Sequence, residues 1–165
     1  METVESAPKL VLNTTVLSNF LAAECLHLLN QLPTPIVACS AVLKEVQAGM
    51  QVGKLPRVSL EWLPVVQLSP DEAVRAEQLR RRLGAGEAES IAVAVSRGWA
   101  FATDDWIARR TAVLLGIPIT GTIGILTELT NQAVLSLIEA NACLRAMIQR
   151  GYRSPVQELD PSFFE

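Results

Sequence analysis

Histidine is nearly absent from this chain. His27 is the only one, so neither a histidine-based zinc site nor a serine–histidine–aspartate triad has the residues it needs. Cysteine is scarce and odd in number. Cys25, Cys39 and Cys143 lie far apart in apolar surroundings, which excludes a disulfide framework and points to reduced thiols in a cytoplasm. No apolar run approaches the roughly 20 residues that span a bilayer, and the first residues carry no apolar signal segment. A soluble, cytoplasmic protein with no membrane partner is therefore expected. Excess positive charge is missing too: a net charge of -3 and a pI near 5.3 argue against gripping nucleic acid through bulk charge, leaving only a locally basic face for that purpose. No Walker-type GxxxxGKS or GxxxxGKT occurs. The GAG at 84–86 follows a charged stretch rather than an apolar strand and lacks a third glycine, which disfavours a nucleotide-binding domain.

What is present centres on residues 84–105, GAGEAESIAVAVSRGWAFATDD. Glu87 and Glu89 stand at the start of an apolar helix of about three turns, which Gly98 can close in the left-handed conformation. Acids at a helix start offset its positive dipole end, and for two acids alone that is a sufficient account. The strand that follows, WAFAT, changes the weighing. It is short and apolar, as a central parallel strand should be, and it ends on Asp104 and Asp105, where open α/β sheets bind ligands. Helix and strand packed side by side would gather the acids at one end of a sheet.

The remaining chain fits that sheet. KLVL at 9–12 reads as a strand, followed by a helix capped by Thr14 or Thr15 whose apolar spacing continues to Leu29 and Pro33. A strand at 36–38 precedes a helix capped by Ser40 and carrying Glu45. Residues 60–68 are extended but interrupted by Pro64, an edge strand. Ser69 and Pro70 open a charged helix ending in Arg80, Arg81 and Arg82, residues that complement the helix dipole or contact phosphate. A helix at 106–115, a strand at 117–120 and helices near 125–129 and 135–150 complete the alternation, which implies a mainly parallel sheet covered on both faces. With 165 residues, half of them hydrophobic, and no repeat or linker, one domain over 1–165 is expected, its C-terminal tail, 151–165, either packing on the surface or mobile.

GEAESIAVAV, the strand ending TDD, WIARRTAVLLGIPITGTIGIL, the opening NTTVLSNF, CSAVLKEV and the closing GYR together resemble the PIN domain, in a prokaryotic subgroup, over nearly the whole chain. The resemblance implies a three-layer α/β/α fold, metal-dependent cleavage of single-stranded RNA, and in many members a toxin's role beside an antitoxin protein. It also implies site residues: Glu45, Glu87 (Glu89 being the weaker match), and Asp105 or Asp104, with Asn13 where the family's first acid would stand. Thr14, Thr103 and Glu89 would support these ligands, and Arg109 and Arg110 of the ARR motif would join Arg80–Arg82 in touching RNA.

The chemistry is coherent. Mg²⁺ and Mn²⁺ prefer oxygen ligands, and crowded carboxylates need a cation to stay ionised together. Asparagine keeps an oxygen but loses a charge. Two functions follow: a Mg²⁺- or Mn²⁺-dependent endoribonuclease attenuated by Asn13, or a PIN-like module that binds RNA or protein without cleaving. Apolar residues in the first helix and at 122–137 exceed what one small core obviously needs, so a homodimer is expected.

Overall fold

Every strand of the sheet points the same way, and that fixes where a ligand can sit. The computed structural model describes residues 7–164; residues 1–6 and Glu165 of the domain expected over 1–165 lie outside it. Strands β1 (Leu10–Leu12), β2 (Ile36–Cys39), β3 (Val65–Val66), β4 (Ala100–Ala102) and β5 (Ile119–Thr120) pair in parallel in the order β3-β2-β1-β4-β5. Helices α1 (Thr14–Ala22), α2 (Ser40–Gln51), α3 (Pro70–Leu79), α4 (Ala85–Arg97), α5 (Trp106–Leu114), α6 (Thr122–Asn131) and α7 (Leu137–Gln149) connect and follow them. The chain steps outward from β1 to β3 and then returns to lay β4 on the other side of β1. The carboxyl ends of β1 and β4 thus flank the point where the strand order reverses, the usual ligand crevice of such sheets.

Alternation along the strands divides the core in two. Leu10, Leu12, Ile36 and Ala38 pack with α1, α2, α6 and α7, whereas Val11, Val37, Cys39 and Phe101 pack with α4 and α5. The result is the expected three-layer α/β/α architecture. The centre of α4 is buried on all sides through Ile91, Ala92 and Val93, and Gly98 closes it with a φ of 68°. All three cysteines are free thiols, Cys25 and Cys39 buried and Cys143 half-buried. No helix is long and apolar enough to cross a membrane.

Several local expectations need correction. The first helix stops at Ala22: Glu24 takes a φ of 57°, Cys25 N–H bonds back to Phe20 O, and the apolar spacing continues as a 3₁₀ helix over Leu26–Gln31. The segment 60–68 is indeed at the sheet edge, but only two of its residues pair, because Pro64 has no N–H to give. The apolar residues thought surplus to the core, including Phe20, Leu21, Ile125 and Leu129, are buried within the chain itself. Exposed apolar residues group on α5 instead, Trp106, Ile107, Val113 and Leu114 among them, while others such as Val52, Val74 and Ile138 are scattered. The segment after α7 is tied down: the Asn141 side chain donates to Leu159 O and accepts from Leu159 N, and Leu159 is buried.

One ion pair fastens α3 to α4. Ser69 and Glu72 form a reciprocal cap at the start of α3, and Arg97 at the end of α4 meets Glu72 through two N–H donors at 2.9 and 3.0 Å. The guanidinium also lies 5.1 Å from the Trp99 ring centre. Glu72 is buried, and the Arg97 hydrogen bonds hold its carboxyl at about 2 instead of 4.5. A depressed carboxyl stabilises the fold above its unfolded value and ceases to do so as pH falls through its folded one. We therefore expect Glu72→Gln to cost about 2–3 kcal/mol at neutral pH and to flatten the loss of stability between pH 4.5 and 2; melting curves across that range check both.

Candidate functional site

The connections after β1, β2, β4 and β5 start α1, α2, α5 and α6 at the carboxyl pole of the sheet, and α4, running back toward β4, starts there as well. The first-turn N–H groups of these helices need acceptors. The residues preceding α1, α2, α4 and α6 (Asn13, Cys39, Gly84 and Gly121) offer no side-chain cap. Carboxylates from elsewhere take over for three of them. Glu89 Oε1 accepts from Ala41 N of α2 at 2.9 Å, Glu45 Oε1 from Gly86 N of α4 at 3.1 Å, and Asp104 Oδ1 from Thr122 N of α6 at 2.8 Å. Neither Thr14, Thr15 nor Ser40 caps a helix as the sequence suggested. Thr14 Oγ1 donates to Glu45 Oε2 at 2.5 Å, and Thr15 Oγ1 accepts from Asp104 N at 3.1 Å, so both hydroxyls serve the acids.

The two neighbouring aspartates part company here. Asp104 is fully engaged: Oδ1 takes Thr122 N, while Oδ2 takes Thr122 Oγ1 at 2.5 Å and Asn19 Nδ2 at 3.1 Å. Gly121 permits this approach, since a Cβ there would stand 2.6 Å from Asp104 Oδ1. Asp105 caps its own helix, Oδ1 accepting from Ala108 N at 2.8 Å, and its Oδ2 makes no hydrogen bond among the described residues. Asn19 and Thr122, which the sequence reading did not assign to the site, bond Asp104, and Tyr152 lies near its charge; the three fall within the NTTVLSNF, GTIGIL and GYR motifs.

Asn13 ends β1 beside β4 and is only 1% exposed. Its Nδ2 donates to Thr103 Oγ1 at 2.8 Å, and the same hydroxyl accepts from Asp105 N at 3.1 Å. One threonine therefore orients both positions. Asn13 Oδ1 is buried and has no hydrogen-bond partner among the described residues. Such an orphan costs about 1–3 kcal/mol unless something else fills the place. Glu87 lies within reach of the Asn13 amide and receives Gly84 N at 3.1 Å. Its carboxyl is nevertheless pushed up, first by burial and then by the charges of Asp105 and Glu45.

The uncommitted acceptors are all oxygens: Asn13 Oδ1 and one oxygen each of Glu87, Glu89 and Asp105. That donor chemistry fits a hard divalent cation, which would both satisfy the orphan and offset the repulsion around Glu87. Among the described residues no three His, Cys, Asp or Glu side chains form a ready-made metal cage. The helix ends that these carboxylates cap explain their separation.

The arginines divide. Arg109 joins the site, its Nη1 donating to Thr103 O at 2.9 Å and Thr120 O at 3.2 Å, and Arg110 lies over the Trp106 ring. Arg80 pairs with Glu77 on the surface at 3.7 Å. Arg81 and Arg82 line a cavity of about 430 Å³ with Leu114 and Leu115, at the end of α5 opposite Asp105. His27 is exposed on the 3₁₀ helix, in a separate cavity with Leu21 and Trp62.

A three-layer sheet with oxygen donors gathered at its switch point is the frame of a PIN domain. A family model described by that name matches residues 9–162, and the chain belongs to the PIN-domain family. No curated protein matches it.

Two substitutions probe the geometry. A Cβ on Gly86 would stand 3.0 Å from both Glu45 Oε2 and Val42 Cγ2, so Gly86→Ala should displace the Glu45 carboxylate and lower stability by about 1–2 kcal/mol in thermal melts. Glu87→Gln should do the opposite in EDTA. Because the folded state raises this carboxyl, its ionised form works against folding at neutral pH, and the amide should raise the melting temperature while keeping the Gly84 bond.

Proposed function

We infer that this protein is a Mg²⁺- or Mn²⁺-dependent endoribonuclease of the PIN type, attenuated by asparagine at position 13 and acting as the toxin of a toxin–antitoxin pair. The observation that carries the nuclease reading is the buried, unpartnered Asn13 Oδ1 beside a repelled Glu87 at the switch point. Membership of a family whose domains generally depend on a divalent metal and bind RNA supports it.

Asn13 Oδ1, Glu87 and Asp105 would hold the ion. When bound, it lowers the pKa of a water and offsets charge building on the phosphodiester. The chain's own contribution is orientation. Thr103 Oγ1 fixes the Asn13 amide and the Asp105 backbone, while Ala108 N holds one oxygen of Asp105 so that the other stays open. Glu45, exposed and clamped by Thr14 Oγ1 and Gly86 N, presents a fixed negative charge next to the ligands. Glu87 is the group whose charge depends most on the ion, being the one that burial and its neighbours disfavour.

Asn13 also makes the non-cleaving RNA-binding module a definite second reading, since a neutral ligand weakens the hold on the ion. An aspartate would fit the same place, because the Thr103 hydroxyl can turn from acceptor to donor. Calorimetric titration of Mn²⁺, with RNA cleavage on the same samples, tests both readings. We expect metal-dependent cleavage of single-stranded RNA that EDTA abolishes, a fall of roughly 100-fold or more in Glu87→Ala, and about tenfold tighter Mn²⁺ binding in Asn13→Asp. Undiminished cleavage in EDTA or in Glu87→Ala overturns the nuclease reading. Cleavage confined to Asn13→Asp assigns the chain with asparagine at position 13 to binding.

A further inference from the structure

Beside the acids, at the carboxyl ends of β4 and β5, lies a groove of about 600 Å³. Its walls differ in character from the rest of the surface. Trp106, the residue after Asp105, is 68% exposed although it is the largest side chain at this pole, and the Arg110 guanidinium lies 5.5 Å from its ring centre. Arg109 forms the floor, tied by one nitrogen to two strand carbonyls. Among the described residues its other nitrogens make no hydrogen bond, and no carboxylate pairs with it. The far wall is Tyr152 and the exposed Arg153. These stand on the segment that the Asn141–Leu159 hydrogen bonds fasten to α7, so the wall is anchored.

Electrostatics make the groove suited to an anion despite the chain's overall negative charge. Asp104 also lines it and keeps its negative charge, although both its oxygens are directed at Thr122 and Asn19. The Tyr152 hydroxyl is pushed up to about 12, first by burial and then by Asp104, and remains a neutral donor. Arg109 and Arg153 outnumber Asp104 along the groove, so its lining stays positive on balance, next to an exposed indole. Flat aromatic faces stack on bases of any identity, and arginine forks hold phosphate; the two together are how single strands are gripped.

We propose that this groove holds one nucleotide of a single-stranded RNA next to the acidic cluster, its base stacked on Trp106 and its phosphate held by Arg109 and Arg153. The assignment builds on the nuclease reading and names where that substrate lies. An acidic protein segment, the alternative occupant, could meet the arginines but gives no use to the exposed indole, whose ring carries Arg110 over it.

The test separates the two readings by measuring binding without metal. Fluorescence anisotropy of a labelled single-stranded oligoribonucleotide in EDTA should show Trp106→Ala weakening affinity about tenfold or more, with Trp106→Phe retaining most of it. Arg153→Gln should reduce the salt dependence of binding, and Arg153→Lys should restore it. Wild-type affinity in both Trp106→Ala and Arg153→Gln overturns the proposal. An equal loss on duplex RNA, or an acidic peptide that competes fully and loses affinity in the same variants, overturns it as well. Binding that follows this pattern without cleavage in Mn²⁺ leaves the groove standing and sinks the nuclease reading. Metal-dependent cleavage with KM unchanged in both variants does the reverse.

Discussion

Helix ends converging on one pole of a parallel sheet are the constraint from which the rest of this structure follows. Each such end presents unpaired N–H groups and the positive pole of a dipole, and several of these ends begin on glycine or another residue that supplies no cap. Glu45, Glu89 and Asp104 reach across the fold to close them. The same arrangement lets so many carboxylates coexist at one place, because the helix ends offset charges that would otherwise repel. An acidic site here is thus partly an architectural requirement, met whether or not a cation is bound.

That requirement also separates acids that look equivalent. Asp104 and Glu45 have both oxygens bound to helix ends or hydroxyls and hold the frame, whereas Glu87, Glu89 and Asp105 each keep an oxygen to spare. Glu87 is pulled both ways. Burial and the charges of Asp105 and Glu45 disfavour its ionised form, while the Gly84 N–H favours it.

The sequence made the central portion of this legible because the signals there are local. Apolar periodicity, Gly98 and the strand ending on Asp104 and Asp105 located α4, β4 and the switch point without any knowledge of distant partners. What it could not separate was Asp104 from Asp105, since the distinction lies in Thr122 and Asn19, far away in the chain. The same limit misled the capping assignments: Thr14, Thr15 and Ser40 are the residue types that cap helices, but the threonines are drawn to Glu45 and Asp104, while Glu89 supplies the acceptor that Ser40 was expected to give. Glu24 concealed the break in the first helix, because a glutamate gives no local warning of a left-handed turn.

The outermost strands, β3 and β5, are two residues long, and each is preceded by a proline, Pro64 and Pro118. A sheet edge is a template for pairing with other chains, and its reach depends on how many consecutive N–H and C=O groups it leaves open. Here the template ends almost as soon as it begins, because each proline lacks the N–H that would extend pairing with the neighbouring strand and both edge strands stay short. The sheet is consequently poor at recruiting another copy by strand addition, which protects against aggregation and leaves association to side-chain surfaces such as the exposed face of α5.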